Sequence, residues 1–78
     1  MIVRLLLWNL ADSKTSLEGL RPRLEPAPNR TWISDETTER FGVVEIWEEE
    51  PGEFPREIVD LIGKDPEIAE EFEVEEPR

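Results

Sequence analysis

Arg4 and Glu45 are the charged residues that this sequence sets among apolar and aromatic neighbours, in MIVRLLLWNL and GVVEIW. A glutamate stripped of water holds its proton more readily and can act as a general base, while a nearby arginine holds the anion that forms. The same two residues suit a cross-strand ion pair, or two rim positions in water. Trp8, Trp32, Phe41 and Trp47 are candidate walls of a substrate pocket. They are equally what a core or a subunit interface would use. Asn9 can orient a substrate oxygen, or satisfy backbone groups where a first strand ends.

These residues must be positioned by strands. MIVRLLLWNL is β-rich and apolar on both parities, with Val3, Leu5 and Leu7 on one and Ile2, Leu6, Trp8 and Leu10 on the other. A strand wet on one face alternates apolar and polar, so this one needs cover on both faces. In the segment 30–50, a turn at Thr37 and Thr38 makes cross-strand residue numbers sum to 75 and sets Trp32 opposite Val43. That register gathers Trp32, Phe41, Val43 and Trp47 on one face and Ile33, Val44 and Ile46 on the other.

The helices are short. Thr15 and Glu18 have capping-box spacing, and Leu17, Leu20 and Leu24 form one apolar stripe. Pro22, Pro26 and Pro28 end or bend that helix early, within residues 16–24. A second helix is framed by Pro55 at its first position and Gly63 at its C-terminal cap. Phe54, Ile58, Leu61 and Ile62 supply its apolar face. The last strand alternates Phe72 and Val74 with Glu71, Glu73 and Glu75, so one face is expected to be buried.

The order βαββαβ implies a single α+β domain over residues 1–78. Its expected form is ferredoxin-like, with a four-stranded antiparallel sheet ordered 4-1-3-2 and both helices on one face. The aliphatic parities are expected under the helices. The face with Arg4, Leu6, Trp8, Trp32, Phe41, Val43, Glu45 and Trp47 is expected to be left for a second subunit or a ligand.

Composition narrows the chemistry. The 78 residues contain no cysteine and no histidine, so disulfides, thiolate chemistry and the commonest general base are absent. Glu71, Glu73 and Glu75 diverge on a flat strand, and no metal site is expected. The net charge of −11 is concentrated in residues 35–78, with seventeen acids against four bases. Such a surface repels nucleic acid and anionic membranes. No stretch reaches the ~20 apolar residues of a membrane span, and the apolar start reads as mature structure, which suggests a cytoplasmic chain. A domain this small gains most from self-association, so a homodimer is expected.

The stretches MIVRLLLWNLADSKTS, RTWISDETTERFGVVEIWE and LIGKDPEIAEEFEVE resemble the dimeric α+β barrel superfamily. In particular they resemble its small monooxygenase-like members related to the antibiotic-biosynthesis monooxygenases. The hairpin is similar to that family's W-x-S-(N/D)-x-x-T-x-x-(Y/F/W)-G-x-x-x-(L/I)-W-E run, and the three stretches span about two-thirds of the chain. The resemblance implies two sheets facing each other across a dimer axis, with a small apolar cavity in each subunit. It also implies oxygenation of a small aromatic or quinol substrate without metal, flavin or haem. Trp8, Asn9, Trp32, Phe41 and Trp47 would then bind substrate, and Glu45 and Arg4 would handle proton and anion. The family's first helix is longer than the prolines allow here. Two other readings stand beside it: a non-catalytic ligand-binding or dimerisation module, and an acidic partner-binding protein.

Overall fold

A computed structural model describes residues 1–77. The elements follow the order β1 (Ile2–Asn9), α1 (Leu17–Leu20), β2 (Arg30–Asp35), β3 (Arg40–Trp47), α2 (Arg56–Ile62) and β4 (Ile68–Glu73). The four strands form one open antiparallel sheet, β2-β3-β1-β4 from one edge and β4-β1-β3-β2 from the other. No helix among the described residues is long and apolar enough to cross a membrane.

The hairpin has the register read from the sequence: Trp32 pairs with Val43, and Asp35 pairs with Arg40. Its turn needs neither glycine nor asparagine in the middle, because the left-handed residue is Glu39, at φ 53°. Asp35 Oδ1 accepts from the Thr37 N–H at 3.0 Å, and the Glu39 N–H donates to the Glu36 carbonyl. An aspartate that hydrogen-bonds the backbone two residues on is a turn former in its own right.

Proline limits α1 as expected. It runs four residues and then tightens into a 3-10 turn, Arg21–Arg23, around Pro22. The cap is Ser16 rather than Thr15: its hydroxyl accepts from the Gly19 N–H at 3.3 Å. Pro55 sits just before α2 rather than at its first helical residue. Gly63 closes that helix at φ 89°, its N–H donating to the Val59 carbonyl. A residue with a Cβ would be strained there.

The structure reverses the expected use of the two sheet faces. The helices cover the face that carries Arg4, Leu6, Trp8, Phe41, Val43 and Glu45. Leu20 and Ile58 and Ile62 close the core over it. Phe41 lies between two indoles, 6.0 Å from Trp8 and 5.7 Å from Trp32, and each such pair adds about 0.5–1.5 kcal/mol to area burial. Two helices of four and seven residues cover little area, and large rings fill the shallow space beneath them. The aliphatic face, with Val3, Leu5, Leu7, Ile33, Val44 and Ile46, carries no helix. The expectation for β4 also fails: Phe72 and Val74 are exposed, because nothing covers either side of that edge strand.

Candidate functional site

Under the start of α2, the sheet register lines up a row of alternating charges. Arg30 pairs with Glu45, and Glu45 pairs with Arg4. Glu45 has no solvent exposure and Arg4 almost none. Nε and Nη2 of Arg4 both lie 2.6 Å from Glu45 Oε1, and Arg30 Nε donates to Oε2 at 2.8 Å. Trp47 Nε1 adds a long contact to Oε1 at 3.4 Å. Arg4 reaches further: Nη1 donates to the Gly52 carbonyl and Nη2 to the Glu53 carbonyl. Its guanidinium lies over the rings of Trp47 and Phe54, 5.5 and 5.2 Å from their centroids.

Every buried polar side-chain atom among the described residues has a partner. Glu45 and Arg4, read as base and anion holder or as a cross-strand ion pair, form the ion pair, inside a closed network. Glu45 presents both oxygens to N–H donors, and Arg4 divides its donors among a carboxylate and two carbonyls. A proton acceptor needs a lone pair facing substrate. Here both oxygens face guanidinium and the group has no solvent exposure.

The other foreseen residues divide into two groups. Trp8 is fully buried and donates its indole N–H to the Lys64 carbonyl at 3.0 Å, tying β1 to the end of α2. Asn9 is exposed: its side chain accepts from the Ala11 N–H at 3.0 Å, and its backbone N–H donates to the Glu67 carboxylate. Asn9 therefore finishes a strand. Trp47 is half-buried against Arg4. Trp32 and Phe41 do border open space. A crevice of about 120 Å³ beside α1 is lined by both, and a groove of about 330 Å³ is lined by Trp32 together with Arg23, Arg30, Phe54 and Arg56.

Arg30 and Phe54 are the site residues that sequence reasoning missed. Arg30 was within reach, since 30 and 45 also sum to 75 and the hairpin register puts it beside Glu45. The Gly52 and Glu53 carbonyls carry no sequence signal, because any residue supplies a carbonyl.

Two surface carboxylates have shifted affinities. Asp35 is held below the ordinary carboxylate range by the Thr38 hydroxyl, then by Arg40 and the Thr38 and Thr37 N–H groups. Partial desolvation pulls Glu67 upward, but Lys64 and the Asn9 N–H outweigh it and hold that group low as well. Both shifts stabilise loops around the sheet and lie outside the buried row. Comparison of the chain with family models, curated proteins and solved structures gives no match, so the site is read from its own geometry.

Proposed function

We propose that this chain is a self-associating module in which two copies pack sheet to sheet through the face that carries no helix. The carrying observation is the make-up of that face. Val3, Leu5, Leu7, Ile33, Val44, Ile46, Ile68 and Phe72 share it, with Ile46 48% and Phe72 53% exposed. Its charges are few in a chain of net −11. Asp35 and Arg40 pair with each other at 3.4 Å, which leaves Glu70 as the unpaired charge among the strand residues.

Four strands spaced ~4.8 Å apart and ~7 residues long give a flat footprint of roughly 400 Å². Side-chain relief raises the accessible area towards the ~800 Å² per partner of a standard interface. A second copy is the occupant favoured by charge. Its own face is equally apolar and nearly neutral, and a two-fold axis lets the same patch serve both sides. The arrangement leaves both helix layers outside and closes the two sheets into a barrel, as in the dimeric barrels that the sequence resembles.

Oxygenase chemistry ranks below self-association. It calls for a void beside a free base, whereas Glu45 is fully buried and both of its oxygens accept from N–H donors. Sedimentation equilibrium tests the proposal: the chain should run at twice its mass, and Leu5→Glu with Ile46→Glu should run at its monomer mass with unchanged circular dichroism. A wild-type monomer throughout the micromolar range, or a doubly substituted dimer, would sink it.

A further inference from the structure

The groove of about 330 Å³ lies on the opposite side of the sheet from the proposed dimer face, bounded by β2, the Arg21–Arg23 turn and the start of α2. We propose that it binds a small aromatic carboxylate.

The argument begins with charge. The buried hydrogen-bonded row holds two guanidiniums, Arg4 and Arg30, against one carboxylate, Glu45. Glu71, next to Arg4 in register on β4, is exposed and makes no ion pair among the described residues. The row therefore carries a positive surplus in a chain of net −11. Arg4 is buried and each of its three guanidinium nitrogens has an acceptor, so the surplus emerges through Arg30, whose side chain is 26% exposed. Arg30 uses Nε on Glu45, and its two terminal amino groups have no hydrogen-bond partner among the described residues. A guanidinium pinned at one end with a free fork is pre-organised for an oxyanion.

The surroundings add to this. Lys14, Arg23 and Arg56 are the described basic side chains that form no ion pair, and two of the three line this groove. Glu25 and Glu57 line it too, and guanidiniums still outnumber carboxylates around it, by one, once Arg4 and Glu45 of the buried row are counted. A bare inorganic anion would leave the aromatic part of the lining unused. Trp32 is fixed by its indole N–H on the Glu25 carbonyl at 3.1 Å and by stacking on Phe41. Phe54 is held against Arg4. Rigid rings beside a fixed guanidinium favour a planar apolar body that carries one carboxylate. The volume is at the small end of the ~300–1,000 Å³ range of small-molecule sites, which points to a ligand of one ring.

Benzoate is the probe. Titrated into the wild-type chain and followed by proton–nitrogen correlation spectra, it should shift the Trp32 indole N–H and saturate in the millimolar range or tighter. Benzamide, of the same shape but uncharged, should bind at least tenfold more weakly. Arg23→Gln with Arg56→Gln, both on the surface, should weaken benzoate tenfold or more while leaving the folded spectrum intact. Arg30→Gln should abolish the response, and the surface double variant keeps the test valid should Arg30→Gln unfold the chain. Absence of a Trp32 shift, equal binding of benzamide, an equal response to inorganic phosphate, or an unchanged affinity in the surface double variant would each overturn the proposal.

Discussion

Glu45 is stable in the interior only in company. Transfer of a lone carboxylate out of water costs several kcal/mol even after relaxation, and here two guanidiniums and an indole N–H offset that cost. Glu45→Gln removes the charge and keeps the shape, leaving Arg4 buried with no counterion. The expected loss is about 3–5 kcal/mol. Replacing both partners, Arg4→Met with Glu45→Met, removes the stranded charge, and Arg30 is exposed enough to turn to water. The double variant should therefore be more stable than the sum of the single losses predicts, by about 1–3 kcal/mol in a urea-unfolding cycle. Strict additivity would mean that the two side chains do not act as a unit. The charges of this row also explain why the buried face was misread from the sequence. Arg4 and Glu45 could be read as an active site, as rim positions in water or as a cross-strand ion pair; the ion pair forms, and with the remaining Arg4 nitrogens met by carbonyls it can be covered.

At the scale of the elements, what could be read in the sequence was local. The hairpin register follows from one turn position, and the end of α2 follows from Gly63, which sits at φ 89°. Parity sorted the side chains onto two faces correctly, yet parity cannot say which face the helices take. That choice depends on how well short helices fit over indoles and phenyl rings, a packing fact with no periodicity. Gly42 is a second feature that spacing does not explain and geometry does. A Cβ at Gly42 would stand 2.3 Å from the Leu6 carbonyl oxygen and 2.6 Å from Leu7 Cδ2, so β1 and β3 approach closely only because glycine is there. Backbone cannot yield as a side chain can. Gly42→Ala should cost about 1–3 kcal/mol or more in urea unfolding, the range for overpacking. Gly52→Ala is the comparison: its Cβ would meet the outer edge of Trp47 at 3.3 Å, and a small shift of that ring relieves it. Equal losses for the two would contradict the close approach of the strands.

For the whole molecule, the apolar face without a helix favours association and the net charge opposes it. The radius of gyration is 13.1 Å, against about 11.5 Å for a compact chain of this length. The excess reflects an elongated outline, 44 × 23 × 19 Å. The opposing force is electrostatic, since two copies bring −11 each. The acids lie mostly off the shared face, so their repulsion is long-range and screened by salt. Raising sodium chloride from about 20 mM to about 500 mM shortens the Debye length from roughly 20 Å to roughly 4 Å. Dimerisation should then tighten by about tenfold, or ~1.4 kcal/mol. Because a dimer binds only folded chain, the melting temperature should rise with protein concentration, and more steeply at high salt. Leu5→Glu with Ile46→Glu should melt at one temperature regardless of concentration. The groove beside Arg30 should respond in the opposite sense, since salt screens its attraction for a carboxylate. A single salt series followed by sedimentation and by benzoate titration therefore separates the two faces of the sheet. Association that weakens with salt would place charged contacts in the interface and rule out the aliphatic face as its core.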